Sequence, residues 1–155
     1  MELVMRRAGL GDVAAVRALS RAAYAQWVPL IGREPKPMTA DYEHAVRAHV
    51  VDLYEVDGVL EGVIEMIVAA DHLLVENVAV RPGGQRRGLG AALMGHAEAV
   101  AAGLGFGEIR LYTNGAFVSN IAFYGRRGYV VTGREAFPAG GEIVFMAKRL
   151  AQDHL

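Results

Sequence analysis

The 155-residue chain contains no cysteine, which excludes disulfides, thiolate metal sites and covalent cysteine intermediates. It also lacks a surplus of either charge: 16 Lys and Arg stand against 17 Asp and Glu, a formal net charge of -1. A general binder of nucleic acid or anionic membrane would carry a basic excess, although local basic clusters are compatible with this balance. No apolar run approaches the ~18 residues of a membrane-spanning helix. Met1 to Arg7 does not lead a charged segment into a long apolar one, so no signal peptide is expected. Repeats, linkers and low-complexity tracts are missing as well. What remains is ordinary globular composition, 53% hydrophobic and 21% charged, in a chain long enough to bury a core as one domain over 1–155. The expectation is a soluble, cytoplasmic domain.

Apolar periodicity supplies the elements. A first strand covers residues 2–7, and Gly11-Asp12 precedes a helix marked by Val13, Val16, Leu19, Ala23 and Trp27. Pro29, Gly32, Pro35 and Pro37 forbid that helix from continuing through Met38, and Thr39 can cap a second one to about His49. Val51–Val56 and Val59–Val68 flank Asp57-Gly58 and read as a hairpin with a two-residue turn. Leu73–Val80 is apolar on both parities except at Glu76 and Asn77, as in a central strand covered on both faces. Leu89, Leu93, Ala97, Val100 and Leu104 mark a long helix ended by Gly103 and Gly105. Ile109–Tyr112 follows as a strand, so strand, helix and strand imply a right-handed crossover and a parallel pair. A short helix from Phe117 to Arg127 and closing strands Tyr129–Thr132 and Glu142–Leu150 complete a mixed α/β domain.

The segment Gln85-Arg86-Arg87-Gly88-Leu89-Gly90 joins the central strand to the long helix. Main-chain N–H groups at a helix start lack internal partners and sit at the positive end of its dipole. Glycines there admit a phosphate closely and arginines add charge. It is neither a Walker loop, since no Gly-Lys-Ser/Thr follows, nor a dinucleotide fingerprint, since Leu93 stands at the third glycine. The alternative is a turn whose glycines serve geometry alone.

The string Val78-Ala79-Val80-Arg81-Pro82-Gly83-Gly84-Gln85-Arg86-Arg87-Gly88-Leu89-Gly90-Ala91-Ala92-Leu93 resembles the GNAT superfamily of acyl-CoA-dependent N-acetyltransferases, whose signature is Gln/Arg-x-x-Gly-x-Gly/Ala after an apolar-Ala-Val strand end. Asn120-Ile121-Ala122-Phe123-Tyr124-Gly125-Arg126-Arg127-Gly128-Tyr129 is similar to the family's later motif. The resemblance implies a GNAT-like fold: a mostly antiparallel sheet of about six or seven strands, splayed at a central parallel pair, with helices on both faces. It implies acetyl-CoA as co-substrate, with no metal, and Gln85, Arg86, Arg87, Gly88, Leu89, Gly90 and Ala91 around the diphosphate. Val78, Ala79 and Val80 would pair with the pantetheine arm, and the N–H of Val78 or Val80 would polarise the thioester carbonyl. Asn114 or Asn120 would hydrogen-bond the coenzyme, because Phe117 stands where the family commonly has an asparagine; Asn114 also reads as a turn residue. Dimers are common in the family, and no interface signal is evident here.

The resemblance sets Tyr124 beside the coenzyme sulfur as the acid that protonates the leaving thiolate. Helical spacing groups it with Phe117 and Asn120, which equally describes a core aromatic. Glu76 is the candidate base, because a carboxylate in an apolar strand is costly unless paired. Strand alternation sets it on one face with Leu74, Val78 and Val80. Its alternative is a structural ion pair, with Arg110 as partner. Without cysteine, direct attack in a ternary complex is favoured over an acyl-enzyme.

Family members vary acceptor specificity in the first two helices and their connection. Here that segment holds Tyr24, Trp27, Arg33, Glu34, Lys36, Met38 and Tyr42, residues able to shape a cleft for a small-molecule or peptide amine. Equally, Trp27 is core and the charges are solvated. The five histidines show no metal-ligand spacing and read as surface or locally bonded. The competing function is a non-catalytic acyl-CoA sensor or interaction domain on the same scaffold.

Overall fold

The computed structural model describes residues 3–83, 88–138 and 140–151. In chain order the elements are β1 (Leu3–Arg7), α1 (Val13–Tyr24), α2 (Val28–Ile31), α3 (Lys36–Thr39), α4 (Tyr42–Ala48), β2 (Val50–Val56), β3 (Val59–Val68) and β4 (Leu73–Val80). They continue with α5 (Leu89–Gly103), β5 (Glu108–Asn114), α6 (Val118–Arg126), β6 (Val130–Ala136) and β7 (Glu142–Arg149). The strands form one seven-stranded sheet in the order β1-β2-β3-β4-β5-β7-β6. Every neighbouring pair is antiparallel except β4 and β5, as the crossover through α5 requires. This mixed, mostly antiparallel sheet with one parallel pair is the architecture that the resemblance implies. Among the described residues no helix is long and apolar enough to cross a membrane.

Two apolar cores lie on opposite faces of the sheet. One packs α5, through Leu93, Met94 and Ala97, against Ile64, Met66 and Val75. The other packs α1 and α4, through Val16, Leu19 and Ala45, against Val51, Leu53 and Val63. The parity of each strand decides which residue serves which core.

The parallel ladder is short, running only from Leu73↔Ile109 to Val75↔Leu111. It stops at a bulge. On the other side of β4, Met66 pairs with Val75 while Glu65 pairs with Asn77, leaving Glu76 as the extra residue. A bulge bends and twists its strand, and from that residue onward β4 and β5 separate. The bulge also corrects the alternation read from the sequence. Glu76 and Asn77 both face the α1 and α4 side, whereas Val78 and Val80 pack with the α5 core. Val78 and Val80 therefore do not share a face with Glu76.

Local differences have equally simple causes. The proline-rich connection, read as a break in helix, contains the single turns α2 and α3, each with proline at its first or second position, where no N–H is needed. The second helix is capped by Asp41, whose carboxylate accepts from the His44 N–H, and not by Thr39. Leu104 lies beyond the end of α5 and is 51% exposed; Met94 and Ala101 fill the core instead. The β2–β3 turn has positive φ at both central residues, 50° at Asp57 and 80° at Gly58, as a two-residue hairpin demands.

Candidate active site

The separation of β4 from β5 creates two clefts that meet at Tyr24. The narrower, about 250 Å³, runs between β4 and α6 and is lined by Tyr24, Trp27, Val78, Ala79, Val80, Gly90, Ser119, Asn120, Phe123 and Tyr124. The wider, about 600 Å³, opens under α3 and α4 and reaches Glu65, Glu76, Asn77, Tyr112 and Phe117. The Tyr24 hydroxyl donates to the Val78 carbonyl at 3.0 Å, tying α1 to the part of β4 that β5 has left. Burial pushes the Tyr24 hydroxyl well above the usual tyrosine range.

In the narrow groove Tyr124 packs edge-on against Phe123 and Tyr129. Burial raises its pKa to about 12, so its hydroxyl holds its proton at neutral pH. Beside it, α5 begins at Gly88, which has φ +74°, a conformation natural to glycine. The first intrahelical bond runs from the Ala92 N–H to the Gly88 carbonyl, so the N–H groups of Leu89, Gly90 and Ala91 have no acceptor within the helix. The Leu89 side chain is buried in the core, which leaves only its main chain to a ligand. Gln85, Arg86 and Arg87 lie outside the described residues.

In the wide cleft the carboxylate of Glu76 is mostly buried and paired. Lys36 Nζ lies 2.8 Å from its Oε1, the Tyr112 hydroxyl donates to the same oxygen, and Lys36 also donates to the Tyr112 hydroxyl at 2.8 Å. Partial burial works against the Lys36 ammonium, but its hydrogen bonds to Glu76 and Tyr112 outweigh that and raise its pKa. Tyr112 is pushed up to about 12 by burial, then by its bond to Glu76. Arg110, the partner considered from the sequence, instead pairs with Glu108 at 2.7 Å. Deeper in, His49 Nδ1 stands 2.7 Å from Glu65 Oε2, and burial raises the Glu65 pKa against that pairing. The Asn77 amide donates to Ser20 and Tyr42 at 3.3 and 3.2 Å, and the Tyr42 hydroxyl donates to the Pro37 carbonyl. That chain of bonds ties α1, α3 and α4 to β4.

The residues singled out in the sequence thus divide between the two clefts. Val78, Ala79, Val80, Gly90, Asn120 and Tyr124 gather in the groove. Glu76, Tyr42 and Arg33 border the wide cleft, with the Arg33 guanidinium 4.6 Å over the Phe137 ring. Asn114 lies on the wide cleft, not the groove, and its Oδ1 accepts from the Ala116 N–H in a turn. Trp27 lies on the groove, not the wide cleft, stacked on Phe117 at 4.4 Å between ring centres. Phe117 caps α6 rather than sharing the groove face of Tyr124. Lys36, read from sequence only as a residue able to shape the acceptor cleft, is here the partner of Glu76; Tyr112 and the His49–Glu65 pair were not assigned roles from sequence. Among the described residues no cluster of three or more His, Cys, Asp or Glu is arranged to hold a metal ion.

Comparison with known proteins bears on this geometry. A family model described as the acetyltransferase (GNAT) family matches residues 15–129. No curated protein sequence matches. Similar solved structures include the PaiA N-acetyltransferase of Thermoplasma acidophilum in complex with coenzyme A, at TM-score 0.81 and 18% identity over 97% of this chain and 100% of that one. The ribosomal-protein-S18-alanine N-acetyltransferase of Escherichia coli superposes at 0.76, with 19% identity over 99% of each chain. A GNAT family acetyltransferase of Elizabethkingia anophelis with acetyl-CoA bound gives 0.73, with 12% identity over 96% of this chain and 98% of that one.

Proposed function

The chain belongs to the GNAT family of acetyltransferases, and from that we propose that it moves an acetyl group from acetyl-CoA to the primary amine of a small molecule or peptide. Attack is direct, with both substrates bound. The observation that carries this reading is the junction of the two clefts at β4, with the buried Tyr124 on one side and the Glu76 carboxylate on the other.

The narrow groove suits the pantetheine arm, which is rich in amides. The main chain of Val78 to Val80 and the side chains of Ser119 and Asn120 offer it donors and acceptors. Main-chain N–H groups of Gly88, Leu89, Gly90 and Ala91 would take the diphosphate at the start of α5, with Gln85, Arg86 and Arg87 adding charge from the preceding loop. The N–H of Val78 or Val80 would face the thioester oxygen, and a preorganised donor there lowers the barrier by about 3 kcal/mol.

The acceptor enters the wide cleft. A primary amine has an ordinary pKa of ~10.4 and arrives protonated. Glu76 takes that proton, the nitrogen lone pair forms the C–N bond at the thioester carbon, and the C–S bond breaks as the nitrogen loses its second proton to solvent, from which Tyr124 is reprotonated. Tyr124 gives its proton to the departing thiolate. Tyrosine and phenylalanine rings around Glu34, Glu65 and Glu76 suit an amine carried on an apolar body. A cytoplasmic setting is part of the proposal.

A thiol-release screen with acetyl-CoA tests the reading, using polyamines, aminoglycosides, amino acids and peptide N-termini as acceptors. Release above background with one class is the expected outcome. Binding of acetyl-CoA with no release across the panel would favour the non-catalytic sensor instead.

A further inference from the structure

The chain has 14 arginines and only two lysines, Lys36 and Lys148. Each lysine pairs with a glutamate, but in different surroundings. Lys148 on β7 holds Glu98 of α5 and lines neither cleft. Lys36 opens α3 between Pro35 and Pro37 and aims its ammonium at Glu76 and Tyr112 inside the wide cleft.

A general base must lie within about 2.6–3.2 Å of the nitrogen it deprotonates. Lys36 Nζ, 2.8 Å from Glu76 Oε1, already meets that condition. It stands where the reading above requires the acceptor amine. An arginine would form the ion pair as well or better, yet could never become a neutral nucleophile; a lysine can. The side chain is 67% exposed, so its long stem has room to swing along the cleft toward β4.

We propose that Lys36 is a built-in acyl acceptor: with acetyl-CoA bound and no other amine present, the enzyme acetylates itself at this lysine. The inference rests on Glu76 being the base and acetyl-CoA the donor. In the step, the Lys36 ammonium gives a proton to Glu76, Nζ bonds to the thioester carbon, the C–S bond breaks and the thiolate takes the Tyr124 proton; the second proton lost by Nζ as the amide forms restores the Tyr124 hydroxyl through solvent, and Glu76 releases its proton to water. The products are one acetyl-lysine and one free coenzyme A thiol. The amide nitrogen no longer carries charge, so the ion pair with Glu76 is lost after a single event. Because the same pair holds the ammonium protonated, labelling is slower than turnover on a free amine, and an external acceptor must first displace Lys36.

The test incubates the full-length protein with acetyl-CoA alone and follows intact mass and peptide maps. One acetyl group per chain on Lys36, with Lys148 unmodified, is the expected result. Its rate should not depend on protein concentration, since the reaction stays within one chain. Lys36→Arg should abolish labelling, Lys148→Arg should leave it unchanged, and Glu76→Gln should slow it by about 10²–10⁴-fold. Lys36 left unmodified by a preparation that releases thiol with an external amine would overturn the inference while sparing the proposed function. Equal labelling of both lysines, indifferent to Glu76→Gln, would reduce it to chemical acetylation. No thiol release with any amine and no effect of acetyl-CoA on thermal stability would remove both readings.

Discussion

In the proposed reaction Tyr124 and Glu76 would divide the proton work because their surroundings differ. Tyr124 sits among aromatic rings, where burial holds its hydroxyl at about 12; Glu76 sits among hydrogen-bond donors. Replacing Tyr124 by phenylalanine keeps the ring packing and removes only the proton donor. Turnover should fall by about 10²–10⁴-fold, with acetyl-CoA affinity little changed, when kcat and KM are measured separately. The raised pKa also sets the sign of a pH effect. The acid form persists below about 12, so thiol release should hold its plateau through the ordinary tyrosine range of ~10. A decline centred there in a pH–rate profile would assign the acid role to a different group.

The bulge at Glu76 is the decisive element-scale feature. It ends the pairing of β4 with β5, and it turns two consecutive polar residues toward the same cleft. Beside it, Gly62 on β3 pairs with Val80 and lies under α5. A Cβ at that position would stand 2.9 Å from Leu93 Cδ1 and 3.5 Å from the Ala79 carbonyl oxygen. Leu93 is fully buried and has little room to yield. Gly62→Val should therefore destabilise the protein by about 1–3 kcal/mol, read as a lower Tm. It should also weaken acetyl-CoA binding, because the strain falls on the stretch of β4 that lines the groove. A variant with unchanged Tm would show that β3 and α5 are free to move apart.

Across the whole molecule, the groove draws on β4, α1, α5 and α6, so a ligand laid in it bridges four elements at once. Acetyl-CoA at a hundredfold excess over its Kd should add about 2.7 kcal/mol of stability, visible as a rise in Tm. Gly88→Glu should remove that rise, read against the variant's own unliganded Tm. The substitution sets a carboxylate at the start of α5 and forces a side chain into φ +74°. An unchanged rise would mean that the diphosphate binds elsewhere.

Local pattern alone was enough for much of this protein. The period of apolar residues marked the strands and long helices, Asp57-Gly58 announced its hairpin, and the run Val78 to Leu93 with the later Tyr124 motif identified the family. Those signals lie between neighbours in the chain, where backbone conformation is decided by adjacent residues. The site required contacts across long separations. One inserted residue at Glu76 reversed the parity of β4, which no alternation rule foresees, because a bulge is defined by the partner strand. Lys36 meets Glu76 and Tyr112 from 40 and 76 positions away, and Trp27 and Asn114 exchange the clefts expected of them. Only the folded sheet, with its paired strands driven apart, determines which charges face one another.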